Sequence, residues 1–287
     1  MSANPFPPRS RFSLVWRAIA VAFGAYVIGV LSLMWWWDVE PPPFDVQRVA
    51  EQKAANKHQP VVTGSVTTAT LIASAETLLD KRGGYLSNDR FPPGLLMDNV
   101  PNWEFGVLTA TRDLARELRN DFSRSQTQST EDVDLAEADP LFSSPNDRWL
   151  LPSSESQYRK AIGRVDAYLV RLADNDQTNA QFYARADNLS DYLQTISTRL
   201  GSLSQRLSAS VGQLRLDIDL AGDPHAQQST PSPSPRVVKT SWNQIDDVFY
   251  EARGYSWAVL AQLRAIEIDF APVLRDKNAL VSLKQVI

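Results

Sequence analysis

The chain contains no cysteine and only two histidines, His58 and His225. The lack of cysteine excludes disulfides, thiolate metal sites and cysteine nucleophiles. The two histidines lie in polar, proline-flanked stretches far apart in sequence, which argues against a histidine-rich metal site and a Ser-His-Asp triad. A phosphate-binding glycine loop, a nucleophile elbow and a zinc-binding helix motif are also missing. We therefore expect a protein without a metal, a cofactor or a catalytic residue.

Charge is missing from residues 18–37, "AIAVAFGAYVIGVLSLMWWW". A helix of that length rises roughly 30 Å, which matches the hydrocarbon core of a bilayer. The run ends with Trp35, Trp36 and Trp37, and tryptophan is enriched where a membrane meets water. The length of the run and its bulky end favour an uncleaved signal-anchor over a cleaved signal peptide. We predict a transmembrane helix over residues 18–37.

The charges on either side of this span differ in sign. Arg9, Arg11 and Arg17 precede it without any acidic residue, and positive charge is retained on the cytoplasmic side. The sequence thus predicts a cytoplasmic tail over residues 1–17, interfacial positions for Arg17 and the three tryptophans, and a periplasmic location for everything after Trp37. The predicted location is the bacterial inner membrane, crossed once.

The remaining chain carries few positive charges relative to its acids. After residue 37 there are 26 basic against 33 acidic residues, a net charge of −7. An acidic domain is a poor nucleic-acid binder. Nucleic acid is therefore excluded as a partner.

Proline is scarce where helices are expected. An interior proline costs a helix about 3 kcal/mol, and no proline lies between Pro152 and Pro224. Proline is concentrated instead in residues 38–64, predicted to be a juxtamembrane linker, and in "GDPHAQQSTPSPSPR", residues 222–236. The latter stretch predicts a flexible linker over residues 222–238. The rest of residues 65–287 is predicted to form one helical domain.

Five segments carry apolar residues on one face at the roughly 3.6-residue period of an amphipathic helix, and in the third to fifth the spacings alternate between three and four. The predicted N-caps are Asn102, Ser129, Ser154 and Ser241, and a short last helix is predicted over residues 277–286. The segment "LRLDIDL", 214–220, alternates with period two but is interpreted as a helix end, since a single strand would have no pairing partner. The five apolar stripes are Leu71, Ala75, Leu78 and Leu79; Val107, Leu114, Leu118 and Phe122; Tyr158, Ile162, Val165, Leu169 and Leu172; Phe182, Ala186, Leu189, Leu193, Ile196, Leu200, Leu203 and Leu207; and Trp242, Ile245, Phe249, Ala252, Ser256, Val259, Leu263, Ile266 and Phe270.

The fourth and fifth stripes are long, narrow heptad seams. Neither helix is stable alone in water, so the seams must pack against each other or against another chain. The sequence predicts an all-α protein with an elongated bundle and coiled-coil-like helices. It leaves open whether the seams pair within one chain or by self-association.

The connection between the first two helices, residues 83–101, is unusually long. It has nineteen residues, with two adjacent glycines and two adjacent prolines, whereas most helix connections need only a few. One interpretation is a packed loop in which Leu95, Leu96 and Met97 lie under neighbouring helices. The other is a recognition surface. The candidate binding residues of that surface are Tyr85, Asn88, Asp89, Asp98 and Asn99.

Arg112, Arg116 and Arg119 share one face of the second helix. Arg112 and Arg116 are therefore candidate binding residues for an anion, although the acidic residues between them favour a solvated, salt-bridged face. The acidic run 128–139 lacks the glycine and terminal glutamate of a calcium-binding loop. It predicts a short acidic helix and no metal site.

Several long blocks resemble a proteobacterial family of single-pass inner-membrane proteins classed as a domain of unknown function. The blocks are "GGYLSND", "MDNVPNWEFGVL", "LRNDFSRSQTQSTEDVDLAEAD", "AQFYARADNL" and "LGSLSQRLSASVG". The similarity spans about residues 65–285. The resemblance implies a bacterial envelope protein and implies no activity, cofactor or catalytic residue.

The first functional hypothesis is a non-catalytic, membrane-anchored periplasmic scaffold or interaction protein. It acts through an envelope protein partner or through self-association of the heptad seams. The alternative is a protein that binds or processes cell-wall glycan with carboxylates near residues 83–101. A sensor is disfavoured, because about seventeen residues before the span leave no room for an output domain.

Overall fold

The computed structural model describes residues 11–125, 130–174, 176, 179–215 and 236–287, and the fold is all-α as predicted. α4 continues into a π-helical turn, Leu118–Phe122, and one antiparallel pair of three-residue strands is present among these residues. The elements are α1 Arg11–Trp37, α2 Val46–Asn56, α3 Ser65–Asp80, α4 Asn99–Glu117, α5 Val133–Phe142, α6 Ser154–Leu172, α7 Ala186–Ser208, β1 Gln213–Arg215, β2 Arg236–Val238, α8 Ile245–Asp269, α9 Ala271–Asp276 and α10 Leu280–Val286.

α3 is the central helix of the bundle. Every residue from Ser65 to Ala75 is buried, because α2, α4, α6 and α8 pack around it. Its small Ala, Ser and Thr side chains let neighbouring helices pack closely on all sides. The single apolar face predicted from Leu71 and Leu78 therefore accounts for only part of the buried surface of α3. A helix that is buried all round belongs to the interior of the fold.

α4 and α8 lie side by side in the same direction and meet at glycines. A methyl group on Gly106 of α4 would collide with the backbone of Glu251 and Tyr255 on α8. A methyl group on Gly254 of α8 would collide with the backbone of Trp103 on α4. The two helices therefore touch backbone to backbone at this crossing.

The first turn of α3 is capped by a residue from the far end of the chain. Gly64, at the N-cap position, has φ 89° and offers no side chain. The Asp269 carboxylate, at the end of α8, accepts hydrogen bonds from Gly64 N at 2.8 Å and from Thr67 N at 2.7 Å. It satisfies donors that a helix start otherwise leaves unpaired.

The predicted heptad seam of α7 is rotated in the structure. Leu189, Ile196 and Leu203 are buried, but Leu200 is 39% exposed, and Tyr192 takes a fully buried position instead. α7 packs antiparallel to α8, with Tyr192 Oη donating to Gln262 Oε1 at 2.7 Å. Phe182 precedes the helix, which begins only at Ala186. The buried side of α7 thus contacts a core formed by several helices, an arrangement that the heptad spacing of its leucines does not predict.

The predicted stripe of α8 is correct only in its second half. Val259, Leu263 and Ile266 are buried, whereas Trp242 is 88% exposed and Phe249 is 49% exposed. α8 ends at Asp269, before Pro272, and Pro272 lies in the first turn of α9. The last helix predicted over residues 277–286 is α10, which begins at Leu280.

Three predicted caps differ from the structure. Asp98 caps α4 in place of Asn102, and Ser153 caps α6 in place of Ser154. Ser241 precedes a 3-10 turn and makes no capping hydrogen bond. Each predicted N-cap was chosen by its distance from the apolar stripe, whereas the α-helix itself begins at a different residue. Ser129 lies outside the described residues, and Asp132 caps α5.

Two predicted linkers have different outcomes. The prediction that residues 38–64 form a linker is wrong in part, because they contain α2, whose Val46 and Ala50 are buried in the core. The linker predicted over residues 222–238 is described only from residue 236, where β2 begins. Residues 214 and 215 of "LRLDIDL" belong to β1 rather than to a helix end, because a partner strand follows after the linker.

Candidate functional site

α1 has the length and composition of a membrane-crossing helix. Within Leu14–Trp37, an 18-residue window has a mean hydropathy of 2.1, and only 6% of that window is buried within the protein. Leu14, Val21 and Ile28 are all more than half exposed. The helix therefore leaves its apolar surface free along most of its length, in contrast to a core helix.

The end of α1 contacts the loop 83–101. The Trp37 ring lies against Gly83, and the Arg82 guanidinium lies 5.9 Å from the centroid of the Trp36 ring. A shallow hollow joins the two segments, and it is lined by Met34, Trp35, Asp38, Leu96, Met97, Asp98 and Asn99. We call the end of the bundle that holds these contacts the anchor end.

A buried ion pair organises the first half of the loop. Lys81 and Glu104 form a salt bridge with almost no solvent exposure. Glu104 also accepts hydrogen bonds from Leu86 N and Ser87 N, both at 2.8 Å. Burial raises the pKa of Glu104, and the neighbouring ammonium of Lys81 offsets part of that rise. The Glu104 carboxylate is therefore engaged by structural partners inside the protein.

Tyr85 and Asn88, two of the candidate binding residues, point into the protein. Tyr85 is 5% exposed and donates from its hydroxyl to Asn146 O at 3.0 Å. Asn88 is 4% exposed and donates from Nδ2 to Arg148 O at 2.9 Å. Burial also raises the pKa of the Tyr85 phenol well above its usual value. Through these hydrogen bonds, both side chains hold the loop against the segment that precedes α6.

The other three candidates of the loop have structural contacts of their own. The Asp89 side chain packs against Gly94, and burial raises its pKa. Asp98 accepts a hydrogen bond from Asn99 N at 2.9 Å at the start of α4. Asn99 is half-buried, and its Oδ1 has no hydrogen-bond partner among the described residues. The structure does not gather the five polar residues into one exposed cluster.

Arg112 and Arg116 occupy different environments. Arg112 donates to Phe142 O and Ser144 O, both at 2.7 Å, and so satisfies carbonyls at the end of α5. Arg119, on the same predicted face, pairs with Glu131 at 2.9 Å and Asp139 at 3.0 Å. Arg116 is exposed. The arginine ridge is thus mainly structural.

Sequence reasoning missed the exposed apolar residues at the anchor end. The packed-loop interpretation placed Leu95 and Leu96 under neighbouring helices, yet they are 56% and 57% exposed, and Phe91 is 73% exposed. A second group, Trp149, Leu150 and Leu151, is 51%, 61% and 95% exposed. The only available signal was the density of large apolar residues beside proline in both segments. We call these six residues the anchor-end patch.

Glu117 is a buried carboxylate that forms no salt bridge within the described part of the chain. It is 8% exposed, and its Oε1 has no hydrogen-bond partner among the described residues. Burial, together with the charges of Asp121 and Asp191, raises the pKa of Glu117 to about 8. It directly precedes the π-helical turn. No group of three metal-ligating side chains occurs within the described part of the chain.

The comparisons with known proteins identify a family. A model of a family described as "Uncharacterized protein conserved in bacteria (DUF2333)" matches residues 10–287. The chain belongs to this family. No curated protein and no solved structure matches the chain.

Proposed function

We propose that this bacterial protein is a non-catalytic, membrane-anchored helical scaffold or interaction protein of the cell envelope. In this proposal α1 crosses the inner membrane once, residues 1–17 lie in the cytoplasm, and the bundle lies in the periplasm. Basic residues before the span and acidic residues after it support that orientation. Membership of a bacterial family is consistent with it.

The observation that carries the proposal is that α1 is an exposed apolar helix whose connection to the helical bundle is held by specific contacts. Glu40 lies three residues after α1, and its carboxylate pairs with Arg253 Nε of α8 at 2.8 Å. Phe44 packs edge-on against Trp257 at 5.6 Å between ring centroids. These contacts hold the connecting segment against the bundle. A body held in this way suits a protein that presents a surface at a defined distance from the membrane.

A groove between α7 and α8 supports a role in interaction. It has a volume of about 480 Å³, and Leu207, Val248 and Phe249 form part of its apolar lining. Trp242 stands at its edge with 88% of its surface exposed. Exposed tryptophan beside an apolar recess is typical of protein-binding surfaces. An envelope protein or a second copy of the chain would fit this groove.

The absence of catalysis is also part of the proposal. Two carboxylates near residues 83–101 have structural partners, since Glu104 pairs with Lys81 and Asp98 caps α4, and the Asp89 side chain is packed against Gly94. Glycoside hydrolysis needs two carboxyl groups that both face the substrate. The glycan-processing alternative therefore draws no support from the contacts of these residues.

Site-specific crosslinking in living cells tests the proposal. A photoreactive amino acid at Trp242 is expected to give an adduct of defined mass, which Phe249→Ser in the same chain should abolish. The matched control is Lys160, an exposed residue of α6, which should not give that adduct. Identical adducts from both positions, or none from Trp242, would contradict an interaction role for the groove.

A topology measurement tests the anchor separately. A phosphatase that is active only outside the cytoplasm, fused after Ile287, is expected to be active. An inactive fusion that is nevertheless stably produced would place the bundle in the cytoplasm and would contradict the proposed location.

A further inference from the structure

We propose that the anchor-end patch rests in the headgroup layer of the same membrane that α1 crosses. This inference rests on the proposed function, because it requires α1 to span a bilayer. It adds a second membrane contact to the protein, made by the loop 83–101 and by the segment that precedes α6. The occupant of the patch is the lipid surface.

The first argument is continuity with α1. Trp35 is 80% exposed and lines the same hollow as Leu96 and Met97. Tryptophan side chains at the end of a membrane helix lie at the level of the headgroups. A leucine that shares a hollow with such a tryptophan lies at nearly the same depth. Leu96 is therefore placed at the membrane surface as soon as α1 is placed in the membrane.

The second argument is that the loop presents its apolar side chains on a fixed turn. Leu95 N donates to Phe91 O at 3.1 Å, and Leu96 N donates to Pro93 O at 3.0 Å. Gly94, in the same turn, packs against the Asp89 side chain. The turn cannot withdraw Leu95 and Leu96 into the bundle without breaking these bonds. Their exposure is a property of the fold.

The third argument joins the two halves of the patch. Arg90 donates to Asp147 O at 3.2 Å, and Asn88 donates to Arg148 O at 2.9 Å. The segment that carries Trp149, Leu150 and Leu151 is thus hydrogen-bonded to the loop that carries Phe91. Six large apolar residues, each more than half exposed, occupy two adjoining segments. Soluble surfaces rarely carry apolar patches of this kind without a binding role.

Charge also favours this end of the bundle. The residues after 37 carry a net charge of −7, which an anionic bilayer repels. The two segments of the patch, in contrast, are close to neutral. Arg82, Arg90 and Arg148 are exposed beside the exposed Asp98 and Asp147 and the half-buried Asp89. Arginine and tryptophan side chains beside leucine suit the mixed polarity of the interface.

The experiment uses the lack of cysteine in the chain. Single cysteines replace Phe91, Leu151, Val21 of α1 and Val281 of α10, and each carries an environment-sensitive fluorophore. Val281 is the matched control, because it is 74% exposed against 73% for Phe91 and belongs to the helix whose Lys284 pairs with Glu267, near the opposite end of α8. The full-length protein is reconstituted in vesicles of phosphatidylethanolamine and phosphatidylglycerol at a low protein-to-lipid ratio.

Lipids with a nitroxide at the headgroup or deep in the acyl chain then report depth. Headgroup nitroxides are expected to quench the labels at positions 91 and 151 by about two-fold, as for side chains at the interface. The label at Val281 should be unaffected, and the label at Val21 should be quenched by deep nitroxides. A label at position 91 or 151 that behaves like the Val281 label overturns the inference.

Two further outcomes separate the hypotheses. A label at Val21 that no lipid quenches would refute the membrane-spanning anchor itself, whatever the patch does. A label at position 91 that shifts to shorter wavelength without quenching by lipid would show a protein in contact with the patch. That result would also overturn the lipid assignment.

Discussion

Substituting the two crossing glycines should strongly destabilise the bundle. In Gly106→Ala the new methyl group would lie 2.6 Å from Tyr255 N, and in Gly254→Ala it would lie 2.8 Å from Trp103 C. Ordinary carbon contacts need about 3.5 Å or more. Since the obstructing atoms belong to the backbone, rotation of a side chain cannot relieve the clash. α4 and α8 must therefore move apart.

The size of the effect follows from two opposing contributions. Overpacking a core typically costs 1–3 kcal/mol, and more where the backbone must shift. Replacing glycine by alanine inside a helix stabilises it by about 0.5–1 kcal/mol. We therefore expect each substitution to lower the free energy of unfolding by roughly 1–2 kcal/mol or more. The double variant should lose less than the sum, because one separation of the helices relieves both clashes.

Gly163 of α6 and Gly201 of α7 provide matched controls. Both are helical glycines, and apart from the neighbouring backbone of the same helix no heavy atom would lie within 4 Å of an added methyl group at either position. Gly163→Ala and Gly201→Ala should raise stability by about 0.5–1 kcal/mol through helix propensity alone. Urea denaturation of the full-length protein in one detergent, followed by circular dichroism, measures all four variants. Four shifts of the same sign and size would refute the backbone crossing.

Three other predictions concern buried carboxylates. Because Glu117 has a pKa raised to about 8 against 4.5 when unfolded, its contribution to stability is complete below pH 4.5 and is lost as the pH rises through 8; Glu117→Gln should therefore flatten the fall in denaturation midpoint between about pH 4.5 and pH 8, and an unchanged slope would contradict this. Asp269→Asn should lower the free energy of unfolding in urea titrations by about 1–3 kcal/mol, because a carboxylate oxygen that caps α3 is lost. Asp45→Asn serves as the control and should have little effect, because Asp45 is a local N-cap and asparagine caps helices equally well. Lys81→Met should cost about 3–5 kcal/mol by leaving Glu104 charged and buried; the added change Glu104→Gln should restore part of that loss, and no restoration would argue against the pair.

Helical periodicity was sufficient to predict α4. Val107, Leu114, Leu118 and Phe122 were assigned to one face, and all four are fully buried. The spacing identified this face correctly, although the polar residues Glu104, Asp113 and Glu117 of the same helix are buried as well. The same reasoning described α3 incompletely, since a helix packed on every side has no polar face to set the period.

Contacts between distant segments could not be read from the sequence. Asp269 caps α3 across more than two hundred positions, and no local pattern links it to Gly64. The seam of α7 was assigned from leucine spacing, yet Tyr192 is buried and Leu200 is partly exposed. A heptad count predicts which residues share a face, but the neighbouring helices decide which part of that face meets the core.

The candidate site illustrates why residue type alone misled the prediction for residues 83–101. One interpretation assigned the apolar residues to the interior and the other assigned the polar residues to a recognition surface, as is usual in soluble proteins. In the structure Tyr85 and Asn88 are buried with internal partners, and Leu95 and Leu96 are exposed. Both reversals occur next to the end of α1. Under the proposed placement of α1 in a membrane, the medium beside these residues is partly apolar, which would account for both reversals.

The direction of the helices explains why candidate surfaces meet at the anchor end. α4 and α8 both begin there, as the bond from Asn102 Nδ2 to Asp247 Oδ1 at 2.7 Å shows. α7 ends there, where Arg206 pairs with Glu251 at 2.6 Å. The groove between α7 and α8 therefore opens on the same end of the bundle as the anchor-end patch. With α1 in the membrane as proposed, a partner bound in that groove would lie close to the membrane surface, so a membrane-embedded or membrane-attached partner would fit the groove better than a freely diffusing one.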